Sequence, residues 1–261
     1  MWDAAGAPRS ERQPAGSAGV RRERPGRAAV RVVGGAWRGR PLYAPPGRGT
    51  RPTSDKVREA MFAVLGALPE ARAAVAAAAA GTPSPEHFGE GAGPLAGHAV
   101  LDVFAGSGGL GIEALSRGAD SCTFVESAPP AVRALRANLE RLGVPVARQN
   151  GPAAAPRGPA PRAVVLASDV RRALAADARH GARYTLVFAD PPYATYEQVR
   201  PALVRLLGRV IVPGAVLVVE SAAGTAPGLP WTVVREKCYG DTRVTFLVAD
   251  AARAAEGESA D

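Results

Sequence analysis

The stretch Ala99-Val100-Leu101-Asp102-Val103-Phe104-Ala105-Gly106-Ser107-Gly108-Gly109-Leu110-Gly111 decides the fold class. Its first six residues read as a buried strand and its glycines as a tight loop. The following Ile112-Glu113-Ala114-Leu115-Ser116-Arg117 reads as a helix. Strand, glycine loop and helix in this order open a doubly wound α/β sheet, and the glycines let the backbone turn sharply and approach a ligand closely.

Gly106-x-Gly108-x-x-Gly111 also fits the dinucleotide fingerprint, which alone is a weak signal. Asp102, four positions before Gly106, separates the possibilities. A carboxylate there repels a pyrophosphate and suits a cationic ligand group. S-adenosylmethionine carries an ammonium and a sulfonium and no phosphate, so Asp102, Phe104, Gly106 and Gly108 favour that cofactor over NAD. Ser121-Cys122-Thr123-Phe124-Val125-Glu126 reads as the next strand, and an acid at its end suits ribose hydroxyls. Asp169 follows the apolar run Ala163–Ala167. It is placed either to meet an adenine amino group or to cap a helix over Val170–Ala178.

A second element follows the apolar run Tyr184–Ala189: Asp190-Pro191-Pro192-Tyr193. The Asp190 carboxylate can accept a hydrogen bond from an NH2 group, and the Pro191 C=O can accept a second. Tyr193 offers a face for stacking on a planar base. Such a device grips an exocyclic amino group and turns its nitrogen lone pair toward an electrophile. The bland alternative is a strand terminator, since proline cannot extend a ladder.

Asp102–Gly111, Glu126, Asp169 and Asp190–Tyr193, in this order, resemble class I S-adenosylmethionine-dependent methyltransferases that modify amino nitrogens. Arg31–Arg40 (RVVGGAWRGR), Arg51–Glu59 (RPTSDKVRE) and Glu113-Ala114-Leu115-Ser116-Arg117-Gly118 narrow the resemblance to the bacterial RsmD family. It covers roughly Arg31 to Ala249. The resemblance implies methylation of a guanine N2 in 16S ribosomal RNA within a small-subunit particle. The enzyme is expected to be a cytoplasmic monomer that needs no metal. It implies a catalytic element of Asp190, Pro191, Pro192 and Tyr193, with Thr53 and Arg58 closing over the site. Helix capping and surface charge are the plain alternatives for those last two. Competing activities are DNA adenine N6 or cytosine N4 methylation and non-catalytic RNA binding in ribosome assembly. The first lacks a substantial domain for reading DNA sequence, and the second leaves the intact Asp190, Gly106 and Gly108 unexplained.

The charge distribution points to a polyanion. Residues 1–58 hold 12 Arg, one Lys and four acids, a net of +9, whereas the rest of the chain holds 19 basic and 20 acidic residues, a net of −1. Arg31, Arg38, Arg40, Arg51 and Arg58 are the expected RNA contacts. The 261 residues contain no apolar run near the length of a membrane span, and the N-terminus lacks the apolar centre of a signal peptide. Two cysteines and three histidines, all scattered, fit no metal motif.

Along the chain, residues 1–29 read as a disordered basic tail and 30–68 as an RNA-binding β-ribbon and helix. The helix starts at Thr53 or Ser54, with an apolar stripe of Val57, Met61, Val64, Leu65 and Leu68. Residues 69–97 and 150–162 read as low-complexity surface insertions, 98–249 as the methyltransferase domain and 250–261 as a flexible tail. Strands are expected at 98–104, 121–126, 163–167, 184–189, 214–220, 231–238 and 242–249, the last two joined at Gly240-Asp241. The expected architecture is a Rossmann-like class I methyltransferase: a seven-stranded, mostly parallel sheet ending in an antiparallel hairpin.

Overall fold

A computed structural model describes residues 28–45, 53–79, 93–147 and 162–249. The remaining parts of the expected tails and insertions, and Arg51, lie outside the described residues.

Eight strands form the central sheet. In chain order they are β3 (Ala99–Val103), β4 (Ser121–Glu126), β5 (Val146–Ala147), β6 (Arg162–Ala167), β7 (Tyr184–Ala189), β8 (Ile211–Ala222), β9 (Thr232–Tyr239) and β10 (Thr242–Val248). Their spatial order is β5-β6-β4-β3-β7-β8-β10-β9. All pairings are parallel except those of β10, which runs antiparallel to β8 and β9. The seven expected strands are present, and the two-residue β5 adds an edge. From β3 the chain winds outward through β4 and β6, then returns to β3's other side as β7. That reversal opens a crevice at the strand ends. The register Asp102↔Phe188 and Val103↔Ala189 sets Asp102 and Asp190 at adjoining ends of β3 and β7.

Alternation along the central strands divides the core. Val100, Leu186, Phe188, Val216 and Val218 face one side, and Leu101, Val103, Val187, Leu217 and Val219 the other. The first face is covered by α1 (Asp55–Ala67), α3 (Gly109–Ser116) and α4 (Pro129–Leu142), the second by α5 (Val170–Arg179) and α6 (Tyr196–Leu207). Ser54 caps α1, its side chain accepting from the Val57 N–H. Met61 and Leu65 of the expected stripe are buried, with Phe62 beside them packing on Phe188 at 5.4 Å between ring centroids.

Part of the expected insertion 69–97 is core. α2 (Pro69–Ala79) starts on a proline, which fits the first helical turn, and buries Ala71, Ala74 and Val75. Alanine enrichment there makes a helix with a slim face that can pack closely.

The N-terminal ribbon is an antiparallel hairpin of β1 (Ala28–Arg31) and β2 (Pro41–Tyr43), so the strand begins inside the stretch assigned to the tail. It is fastened to the sheet domain by buried polar side chains. Glu113, fully buried, accepts the Val33 N–H at 2.8 Å and the Arg117 Nε–H at 2.7 Å. Ser116 donates to the Gly34 C=O and accepts the Trp37 N–H. Asn138, 1 % exposed, accepts the Tyr43 N–H and donates to the carbonyls of Tyr43 and Ser107, each at 3.0 Å. Gly35 permits this approach. Its φ is +75°, and a Cβ there would fall 1.8 Å from the Ser116 carbonyl oxygen.

Candidate active site

The glycine loop leaves β3 through Phe104, whose φ of 65° is in the left-handed region. A bulky residue held there stores about 1–3 kcal/mol of strain, which the surrounding structure must impose. Gly108, also left-handed, precedes α3. Gly111 lies so close to β4 that a Cβ would meet the Phe124 ring at 2.3 Å and the Cys122 sulfur at 2.6 Å. Only glycine allows the first turn of α3 to seat there.

Each acid on this side holds backbone. Asp102, 2 % exposed, accepts the Gly111 N–H at 2.8 Å. Burial raises its pKa to about 7, opposed by the Gly111 bond and reinforced by the charges of Asp190 and Glu126. Through this bond Asp102 holds the turn from the glycine loop into α3. Glu126 accepts the Gly106 N–H at 2.8 Å on one oxygen and the Ala128 N–H at 2.7 Å on the other. Asp169 caps α5 by accepting the Arg171 N–H at 3.0 Å. Its pKa is lowered, first by the hydrogen bond from the Arg171 side chain. Capping, one of the two readings of Asp169, is realised, and the carboxylate nonetheless lines a cavity. That cavity, about 340 Å³, is walled by Phe104, Val125, Glu126, Asp169, Pro192 and Val199, among others. It has the size of a small-molecule site. It brings together Phe104, Glu126, Asp169 and Pro192, four residues expected from sequence.

Asp190 follows β7, beside the end of β3. Among the described residues its partner is the Thr53 hydroxyl at 3.5 Å. Burial raises the Asp190 pKa, and Thr53 opposes the shift. The Pro192 C=O accepts from the Thr195 N–H and hydroxyl, closing a turn over Tyr193–Thr195. The Pro191 C=O accepts from no donor among the described residues. The element thus presents two acceptors, a carboxylate and a carbonyl, with little internal demand on either. The Tyr193 side chain lies outside the described structure.

Glu220, near the end of β8, completes an acid cluster that the sequence reading missed. It is 4 % exposed, and its Oε1 lies 2.7 Å from the Thr53 hydroxyl oxygen. Burial raises its pKa, as does the charge of Asp190. The available signal was an apolar run, Val216–Val219, ending in an acid, as in the strands before Glu126 and Asp190. Among the described residues no group of three or more His, Cys, Asp or Glu is arranged to hold a metal ion.

The expected RNA contacts divide. Arg38 and Arg40 are exposed on the hairpin, and Arg31 is exposed while pairing with Asp55 at 2.9 Å. Arg58 is a correction. It is 1 % exposed and donates to the Arg31 C=O at 2.7 Å and to Asp55 at 2.6 Å, so it ties the hairpin to α1 and is not an exposed phosphate contact. The apolar positions Met61, Phe62 and Leu65 put this face of α1 into the core, and Arg58 lies on it.

A family model described as "Conserved hypothetical protein 95" matches residues 30–248. YlbH of Bacillus subtilis (strain 168), named as a candidate rRNA methyltransferase, is 35% identical over 68% of this chain and 73% of its own length. Ribosomal RNA small subunit methyltransferase D of Escherichia coli (strain K12) is 30% identical over 90% of this chain and 95% of its own. Among solved structures, yhhF of Escherichia coli, described as a candidate methyltransferase, superposes with a TM-score of 0.60 at 28% identity, covering 85% of this chain and 98% of that one.

Proposed function

The chain belongs to the family described as conserved hypothetical protein 95, the RsmD family of ribosomal RNA methyltransferases, and from that premise we propose that it methylates the exocyclic N2 of a guanine in small-subunit ribosomal RNA. It is an S-adenosylmethionine-dependent rRNA methyltransferase. The choice of guanine follows the family resemblance in the sequence. The observation that carries the chemistry is the Asp190 element: a carboxylate with one hydroxyl donor among the described residues, followed by a Pro191 carbonyl with none, beside the end of β3 where the glycine loop begins.

The residues present fit the cofactor. A cavity of about 340 Å³ is walled by Phe104, Glu126 and Asp169 and lies beside a loop that Asp102 and Glu126 hold by backbone amides. Each carboxylate oxygen has two lone pairs, so Glu126 and Asp169 can accept from nucleoside hydroxyl or amino groups while keeping their backbone bonds. When bound, S-adenosylmethionine supplies an electrophilic methyl group.

The protein's part is positioning. A guanine amino nitrogen is a poor nucleophile because its lone pair is delocalised into the ring. Asp190 and the Pro191 C=O accept its two N–H bonds and favour a pyramidal nitrogen with a directed lone pair. Positioning of this kind is worth up to about 7–11 kcal/mol. The base must be unpaired or flipped to reach the element, and Tyr193 stacks on it. Arg31, Arg38 and Arg40 hold phosphates. The name of the Escherichia coli relative supports small-subunit ribosomal RNA as the substrate; an assembled particle as substrate, a monomeric enzyme and a cytoplasmic site of action belong to the same proposal.

The test is methyl transfer to bacterial 16S RNA and to small subunits, read by mass spectrometry of digested nucleosides. N2-methylguanosine is the expected product. N6-methyladenosine, N4-methylcytidine or no methylated nucleoside overturns the assignment.

A further inference from the structure

We propose that Glu220 is a positioning residue for methyl transfer: it retains the proton of the buried acid cluster and, through the Thr53 hydroxyl, holds Asp190 as the charged acceptor of the substrate amino group. This rests on the reading of Asp190 given above and extends it to a residue brought in by β8.

The geometry poses a proton-counting problem. Thr53 Oγ1 lies 2.7 Å from Glu220 Oε1 and 3.5 Å from Asp190 Oδ2. A hydroxyl donates one proton. Were both acids ionised, Thr53 could serve only one, and two buried negative charges would face each other across it. Like charges sharing a site raise one pKa strongly. With Glu220 neutral, its own O–H donates to Thr53 Oγ1, and the Thr53 proton turns to Asp190. Both contacts are then satisfied, and one charge remains in the pair.

The surroundings decide which acid keeps the proton. Glu220 is 4 % exposed and sits within a strand, whereas Asp190 follows the end of β7 and has more of its surface accessible. The charges facing Glu220 come from three other elements: Asp190 after β7, Asp102 in β3 and Arg58 in α1. The two acids push its pKa up and Arg58 pulls it down; burial is the largest cause, and the pKa rises to about 8. Burial raises the pKa of both acids, so the pair keeps one proton, and Glu220, the less exposed of the two and held within the strand, is the acid assigned to keep it. The N-terminal segment, through Thr53, completes this arrangement from outside the sheet.

The experiment measures the single-turnover methylation rate constant on 16S RNA across pH 6–10, with cofactor affinity by calorimetry, for wild type, E220A, E220Q, T53V, the E220A/T53V pair and D190A. E220A is expected to slow methylation about 10- to 100-fold, the scale of a misplaced reactive group, with cofactor affinity within about twofold. E220Q should recover most of that loss, because its amide N–H can donate to Thr53 as the neutral acid does. The wild-type rate should fall from about pH 7 to 9 as Glu220 ionises, and E220Q should lack that fall. E220A and T53V break one chain of contacts, so their effects should not add.

E220A at the wild-type rate, or E220Q with an unchanged alkaline fall, overturns the proposal. Should E220A fail to bind cofactor, the pH profiles of E220Q and T53V decide alone. D190A separates the two readings: an active D190A removes the role of Asp190 itself, whereas an inactive D190A beside a wild-type-like E220A removes only that of Glu220.

Discussion

The two halves of the crevice use carboxylates in opposite ways. On the side proposed for the cofactor, Asp102, Glu126 and Asp169 each accept backbone N–H groups, from Gly111, from Gly106 and Ala128, and from Arg171. Those bonds shape loops and helix starts and leave lone pairs for a ligand. On the side proposed for the substrate amino group, Asp190 and Glu220 share one Thr53 hydroxyl among the described residues. The first three acids have their orientation fixed by backbone amides, and the other two are short of donors. Burial without donors raises a carboxylate's pKa, and full donation lowers it. The raised pKa of Asp190 and the lowered one of Asp169 follow this division, while Asp102 shows burial outweighing a single bond.

The contrast predicts separable losses. D190A should lower the methylation rate by about a thousandfold or more, since it removes the main positioning contact, with cofactor affinity nearly unchanged. D102A should first weaken cofactor binding, by about tenfold or more, because a freed Gly111 N–H releases the loop; net loss of a hydrogen bond to a charged group is about 1.5–3 kcal/mol. Single-turnover kinetics and calorimetry on both variants check this. Cofactor loss in D190A, or none in D102A, would erase the distinction between the halves.

The hairpin offers a smaller version of the same contrast between its docked and open faces. N138A leaves the Tyr43 N–H and C=O and the Ser107 C=O without their side-chain partner, and should cost about 2–3 kcal/mol of stability in denaturant unfolding. An unchanged midpoint would make the hairpin a tethered arm. The open face should show itself mainly in salt dependence. R38A/R40A should reduce the slope of log affinity for RNA against log salt by about 1.4–1.8 for two phosphate contacts, leaving cofactor affinity unaltered. A slope equal to that of wild type would make the N-terminal charge a matter of composition.

Local signals made much of this legible. The glycine loop, the acids at strand ends, the Asp190 element, the Ser54 cap and the turn at Gly240 each rest on residues within a few positions of one another. β7, read over 184–189, is found at Tyr184–Ala189. Charge clustering located the exposed Arg38 and Arg40 by composition alone. α2 was harder, because an alanine run signals a helix and a low-complexity loop alike, and only burial of Ala71, Ala74 and Val75 against the sheet separates them.

What the sequence by itself determined, then, is the order of elements and the short-range signals: which strand ends in an acid, where glycine lets the chain turn, where proline ends a strand. The tertiary structure decided how those pieces satisfy one another. Thr53 and Glu220 are 167 positions apart and Asn138 and Tyr43 are 95 apart, so no local pattern pairs them. Arg58 has the charge of a surface residue and is buried because the helix stripe around it belongs to the core. The protonation of a carboxylate depends on burial and on neighbouring charges, and both are set only when distant strands lie side by side.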